Sequence, residues 1–575
     1  MEPEQTLFMN YEFMQPPTEF LILPNRNVVA QSGKIEVFKT LERGAACPWP
    51  TIRQANFTSG DTGSAACHRT ISSWLKRCEA AHGFCSLGKD SPLPSRVLDL
   101  GENSGTDADV IRLLETDTEK LGSYCCLSHR WIDGDTPTTT ADNLQERLRG
   151  IDLPSLPLKY QDAIAVTRSI GIRYLWIDSL CILQEDKADW LKEAPRMADY
   201  YGNAYLTISA AMAVEKGQRI FSKASSGTGT INIANEDKFL YAVHYRLPLS
   251  HTSNPLHDRG WIFQEYMLSR RVLHFVKDEV IWECREATWC ECGRVAEDFG
   301  GMLHVGPMTS SHQSFSYRKK RRFHGSLYLK PPPERLKNLW MELIHEYSGK
   351  HLTFGSDVFP ALAGIVKEMQ KQRKCGYYAG LWEDTLVSDL LWESEDEEWY
   401  PDGHLFPKPD KWRAPSWSWA SSTAWINWPC CPIDSTSGEF TEQNLLGDIY
   451  ISDIKADCKP IGDDPTMGFQ SAELSITGVL SVAPLTLNDK KGYAVAEDAG
   501  DVSIALDHTL TADELVPPRF LRTLLITQLL VGGVDYLSLV LRPTDSAART
   551  YERIGLMHHA ERLPVLEEET TIIIV

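Results

Sequence analysis

A carboxylate, a hydroxyl and a thiol follow one another in Leu175-Trp176-Ile177-Asp178-Ser179-Leu180-Cys181. The apolar run before them predicts a buried strand, so Asp178, Ser179 and Cys181 stand just past its carboxyl end. Open α/β sheets take ligands there, in the crevice where strand order switches. Ser128 ends an earlier apolar run, Tyr124–Ser128, in the same way, and Trp131 lies in the loop that follows. The two loops can therefore face one pocket. The same residues also have plainer uses. Asp178 can cap the following turn, and Cys181 can serve as a small buried hydrophobe.

Glu193 is the second carboxylate of interest. Trp190, Glu193, Met197 and Tyr200 recur at helical spacing and would share one face, although Pro195 interrupts the stretch. A carboxylate between Trp and Met is poorly solvated, and desolvation raises its pKa. That suits a group that stabilises a cationic sugar or manages a proton. The alternative is a buried ion pair with Arg196, Arg259 or Arg130. A third cluster is Arg259, Trp261, Gln264 and Glu265. Arg at a helix start can bind phosphate bidentately and Trp can stack on a base, or the group can clamp a packed helix.

Other chemistries find little support. Cys284, Cys290 and Cys292 with His274 do not match the paired spacing of zinc knuckles, so no metal site is expected. No Gly-x-Gly-x-x-Gly, Walker-type loop or Gly-x-Ser-x-Gly elbow occurs. The basic run Arg318–Arg322 reads as a solvated linker face.

The elements that must position these residues follow from the patterning. Val97–Leu100, Tyr124–Ser128, Tyr174–Ile177 and Tyr205–Ser209 read as strands. Lys159–Ile170 reads as an amphipathic helix stopped by Gly171, and Asp186 and Asp189 open another. This alternation predicts right-handed crossovers and a parallel sheet. Gly260–Leu268 is a further helix, followed by strands Val272–Val276 and Val280–Cys284. Residues 336–393 are helix-rich, and the stretches beyond Trp417 turn to strands. The Trp-rich segment Trp412–Trp428 is too apolar to stay exposed and predicts a core or an interdomain contact.

The chain has 575 residues, more than one core can hold. The expected divisions are an N-terminal arm (1–92), an α/β domain (93–300), a linker (301–335), a helical region (336–420) and a β-rich region (421–575). With 58 Lys+Arg against 78 Asp+Glu the net charge is -20, which argues against binding nucleic acid or anionic membranes. The first twenty residues carry no signal-peptide pattern and no apolar run reaches membrane-span length, so a cytoplasmic protein with reduced cysteines is expected.

The motifs together resemble the fungal HET-domain family, named for heterokaryon incompatibility. The resemblance rests on Tyr124-Cys125-Cys126-Leu127-Ser128-His129-Arg130-Trp131, on Leu175–Ile182 with Gln184, Asp186, Asp189, Trp190 and Glu193, and on Arg259-Gly260-Trp261-Ile262-Phe263-Gln264-Glu265. His129 stands where Tyr is more usual. Membership implies a role in self/non-self recognition, innate immunity and regulated cell death. It also implies a TIR-like, flavodoxin-like α/β fold, with further helical and β-rich parts downstream. By analogy with TIR domains it implies cleavage of the N-glycosidic bond of NAD. Glu193 then resembles the catalytic carboxylate, with Asp178 beside it, and Ser128, Trp131, Cys181, Trp190, Arg259, Trp261, Gln264 and Glu265 are the expected ligand-binding residues. No cofactor is expected, NAD being a substrate. Two other functions fit the same family: an oligomerising, non-enzymatic scaffold that pairs with itself or a partner incompatibility protein, and an enzyme repurposed for a small secondary metabolite.

Overall fold

Four apolar segments, Tyr174–Trp176, Tyr124–Ser128, Leu206–Ser209 and Arg271–Phe275, lie side by side in that order as parallel strands. The last three are buried along their whole length, as strands covered on both faces must be. The computed structural model describes residues 19–22, 33–38, 55–86, 90–101, 110–117, 120–224, 229–234, 240–246, 254–293, 296–298, 315–329, 333–394, 406–431, 446–488, 492–495, 502–517, 520–530, 535–545, 549–563 and 568–575. They divide into two compact units, Met1–Leu256 with Leu268–Gly325, and His257–Met267 with Ser326–Val575.

The first unit is built on a ten-stranded sheet, and this sheet is mixed, not parallel throughout. Arg96–Asp99 joins Tyr174–Trp176 antiparallel, and Val280–Cys284, Ala287–Cys290 and Ala296–Asp298 extend the other edge as an antiparallel meander. The parallel expectation therefore holds for the four inner strands. Tight turns such as Val276–Glu279 require antiparallel neighbours, because a parallel pair needs a long crossover. Leu158–Ser169 supplies one crossover helix. It buries Tyr160, Ala163, Ile164 and Val166, and Gly171 at φ +76° follows its end. A separate four-stranded sheet pairs Gly33–Phe38 with Glu19–Ile22 and Leu240–Arg246.

Residues 315–328 form a helix where a linker was expected. Its basic run is not simply a solvated face: Lys320 is fully buried with Phe323 and His324. Burial draws the Lys320 ammonium down to about 8, even with Glu283 nearby. Residues 301–314 of the expected linker lie outside the described residues.

Strand Arg96–Asp99, paired between Tyr174–Trp176 and Val110–Glu115, is pinned electrostatically. Asp99 is buried and accepts from Arg173 at 2.7 and 2.9 Å, from Arg112 at 3.2 Å and from the Gly101 amide at 3.1 Å. Burial alone would raise its pKa, but these donors outweigh it and hold the group at about 2. The folded value lies below the unfolded one. The stabilisation is therefore complete above the ordinary carboxylate range and is lost as pH falls from about 4 toward 2. Asp99→Asn is expected to remove roughly 1–2 kcal/mol at neutral pH, allowing for solvent screening of the half-exposed arginines, and to flatten that acid limb. Thermal melts of both proteins between pH 7 and 3 check this; parallel curves would count against it.

In the second unit a nine-stranded antiparallel-rich sheet runs from Leu446–Ile449 to Ile451–Pro460, as the β-rich expectation requires. Trp417, Trp419 and Trp428 are buried in this unit, whereas Trp412 and Trp425 are exposed. Arg553 is wholly buried, paired with Asp507 at 3.1 Å and stacked over Trp392 at 3.6 Å.

Candidate functional site

The sheet places polar groups in a row at the carboxyl ends of the parallel strands. Ser128 is level with Ser209, and Ser209 with His274. Asp178 begins the short helix Asp178–Cys181 directly after Tyr174–Trp176. The chain runs from Tyr124–Ser128 to the strand on one side and then crosses to Leu206–Ser209 on the other. This is the switch point at which α/β sheets open a crevice. Ser128 and Ser209 are both nearly inaccessible, and the Ser209 hydroxyl has no hydrogen-bond partner among the described residues.

Asp178 is the accessible carboxylate of this end, its side chain 19% exposed. The Trp131 indole donates to Oδ2 at 2.7 Å, and the Ser179 amide donates to Oδ1 at 2.7 Å. His129 Nδ1 stands 3.7 Å from Oδ1, an ion-pair distance and too long for a hydrogen bond. The other imidazole nitrogen meets the Tyr160 hydroxyl at 2.9 Å, which in turn meets Ser179 Oγ at 2.8 Å. Burial, reinforced by the Asp178 charge, holds the Tyr160 phenol well above its usual range, so it stays protonated. The group thus combines an accessible carboxylate, an oriented imidazole and a partly exposed indole face.

Local bonds fix the loop that carries Trp131. Thr139 donates its amide to the Ser179 carbonyl and its hydroxyl to the Leu180 carbonyl, at 3.0 and 2.7 Å, and accepts from the Gln184 amide at 2.7 Å. Lys159, buried at the start of its helix, donates to the Arg130 carbonyl at 2.9 Å. Gly134 turns the loop at φ +69°, a conformation costly for other residues.

Glu193 is placed differently. It is 1% exposed. Ser95 donates to Oε1 at 2.7 Å and Tyr200 donates to Oε2 at 2.5 Å. Arg196 and Lys192 lie at 3.9 and 3.7 Å, and Arg196 also donates to Ser95 at 2.6 Å. Of the three expected ion-pair partners, Arg196 is the one found. The helix expected through Trp190 and Tyr200 is broken into Lys187–Glu193, a 3-10 turn Ala194–Arg196 containing Pro195, and Met197–Asn203. Glu193, Met197 and Tyr200 remain buried, but Trp190 is 38% exposed and leaves the packed face. Pro195 lacks the amide an α-helix needs, and the helix breaks there.

Asp189, which sequence marked only as a helix-start residue, carries the firmest ion pair. Arg96 binds both its oxygens, at 3.0 and 2.6 Å, and donates to the Cys181 carbonyl at 3.0 Å. Cys181 itself is 1% exposed, and burial pushes its thiol up to about 12. It packs as a hydrophobe and offers a ligand no access.

The remaining expected ligand residues belong to the second unit. Trp261 donates to Asp357 at 2.9 Å, and the buried Gln264 accepts from the Gly364 amide at 2.6 Å. Glu265 is also buried, and Arg259 bridges to His351. These bonds are those of a packed helix. In the same unit Ser538 meets His559 at 2.8 Å beside a small pocket lined also by Tyr450 and Arg562, but His559 is oriented by the Glu561 carbonyl, not by a carboxylate.

The excluded zinc combination also changes. Cys284 lies with Cys78, His82 and Cys85, while Cys290 and Cys292 lie with Glu279. Among the described residues no disulfide is formed, and no helix is long and apolar enough to cross a membrane. Residues 124–265 match the family model described as heterokaryon incompatibility protein (HET). No curated protein and no solved structure matches the chain.

Proposed function

We propose a function from the premise that this chain carries a HET domain of the heterokaryon incompatibility family: it acts in cytoplasmic self/non-self recognition and regulated cell death by hydrolysing the N-glycosidic bond of NAD or a related nucleotide. A TIR-like reading of the α/β core is part of the same proposal. The observation that carries it is the partly exposed Asp178 carboxylate at the strand switch point, with His129 beside it and the Trp131 ring open to stack on a planar base. A carboxylate there stabilises the positive charge that develops on the ribose as nicotinamide departs. Trp131 and the Ser179 amide hold that carboxylate in place. Glu193, caged by Ser95, Tyr200 and Arg196, supports the site by fixing the neighbouring helix. The purified full chain incubated with NAD is expected to release nicotinamide well beyond one equivalent.

One observation favours a second reading. Both oxygens of Glu193, the carboxylate most like that of TIR-type hydrolases, are already engaged. A non-enzymatic scaffold that assembles with itself or a partner incompatibility protein needs no free carboxylate. Its signature is concentration-dependent growth in light scattering with no nicotinamide released, and that outcome would replace the hydrolase reading.

A further inference from the structure

Four ligand-bearing side chains from two distant stretches of the first unit, residues 78–85 and 284, converge in its interior. Helix Ala65–Ala81 brings Cys78 and is followed by His82, the turn Gly83–Cys85 brings Cys85, and strand Val280–Cys284 ends on Cys284. One donor atom from each lies within 4.8 Å of all the others. Cys78, Cys85 and Cys284 are completely buried and His82 nearly so. His82 presents Nδ1 to Cys284 Sγ at 3.3 Å.

We propose that Cys78, His82, Cys85 and Cys284 form a closed structural site for one zinc ion. The donor set is three thiolates and an imidazole, which is among the sets zinc takes in four-coordinate structural sites. Cys78 lies in the last turn of the helix, His82 caps its end with its amide on the Cys78 carbonyl at 3.0 Å, and Cys85 follows on the 3-10 turn. The surroundings suit thiolate ligands. Arg271 places Nε 3.3 Å from Cys78 Sγ, and the Ala287 amide donates to Cys284 Sγ at 3.2 Å. Such N–H donors to sulfur favour the deprotonated ligand and fix its direction. Trp289 packs against the His82 ring at 5.5 Å and stacks on Trp282, which sets the imidazole plane. No open position for a substrate is needed; the ion would tie the end of the N-terminal helix to the antiparallel edge of the sheet.

A second group is the internal control. Glu279, Cys290 and Cys292 also cluster, but they offer three donors, and Cys292 already bonds Glu279 through both its amide and its thiol, at 2.8 and 3.4 Å.

The test uses the full chain, purified reduced, loaded with zinc and dialysed against a mild chelator. About one zinc per chain is expected by elemental analysis. Cobalt in its place is expected to give tetrahedral d–d bands and strong thiolate-to-cobalt charge transfer. Cys284→Ser and Cys85→Ser should each lower retained zinc at least tenfold, whereas the Cys290→Ser, Cys292→Ser double variant keeps it. If the ligand variants do not fold, wild-type protein still decides the matter, because a mercurial that caps thiols must release the zinc in step with thiol loss. A folded, fully reduced wild type that takes up neither zinc nor cobalt overturns the proposal. So does zinc that survives Cys284→Ser but not the double variant.

Discussion

Asp178→Asn is expected to slow nucleotide hydrolysis by about 10²-fold or more, near 3 kcal/mol of transition-state stabilisation, while the protein stays folded. The substitution keeps the volume, and the amide oxygen can still accept from the Trp131 indole or the Ser179 amide. The loss of one of these bonds costs about 1 kcal/mol, a shift of a few degrees in a melt at most. Glu193→Gln should separate the two carboxylates. Its Ser95 and Tyr200 donors and the partly exposed Arg196 and Lys192 lose a charged partner, so stability falls by about 2 kcal/mol, with turnover reduced far less than in Asp178→Asn. Turnover and melting temperature measured on both variants check the pair. A folded Asp178→Asn protein with wild-type turnover would remove Asp178 from the chemistry.

The largest loss of stability is expected from Asp189→Ala, about 3–5 kcal/mol in the unfolding of the first unit. Arg96 and Asp189 have side chains only 8% exposed, so removal of the carboxylate leaves a buried guanidinium with the Cys181 carbonyl and a longer contact, 3.6 Å, to the exposed Glu115. The Leu183 amide loses its acceptor as well. The pair ties the loop after Cys181 to strand Arg96–Asp99, so its loss loosens the segment between Asp178 and Glu193. Burial would push the Asp189 pKa up, but the Arg96 bonds reverse this and hold the group below its ordinary value. A double substitution, Arg96→Met with Asp189→Leu, should recover most of the loss, because no charge is then left buried alone. Urea unfolding of the three variants measures this; a single variant within 1 kcal/mol of wild type would contradict it.

The strand ends were legible in the sequence because each parallel strand is a short apolar run closed by a polar residue. Tyr124–Ser128 and Leu206–Ser209 match their expected spans within a residue. The direction of Arg96–Asp99 was not legible, since its local pattern is the same whether its neighbour runs parallel or antiparallel. The pairing of Asp178 with Trp131 and His129 was readable only as two loops facing one crevice. Its details depend on the Thr139 and Lys159 bonds, which join residues far apart in the chain. Trp190 was misplaced because spacing alone does not say which residues of a short helix reach the core: Glu193, Met197 and Tyr200 do, across the 3-10 turn, and Trp190 does not. Asp189 looked like a dipole residue, and nothing near it in sequence pointed to Arg96. Cys78, His82 and Cys85 are close in sequence, but the fourth member of the group arrives only after the whole parallel sheet has been built.

Chemical rescue tests the central claim most directly. Asp178→Gly removes the carboxylate and leaves a space beside Trp131 and His129. The full-length variant is expected to be folded and nearly inactive on NAD, and added formate should restore nicotinamide release in a saturable, dose-dependent way. Wild-type protein that releases no nicotinamide would contradict the account, as would an Asp178→Gly variant that hydrolyses NAD at the wild-type rate without formate.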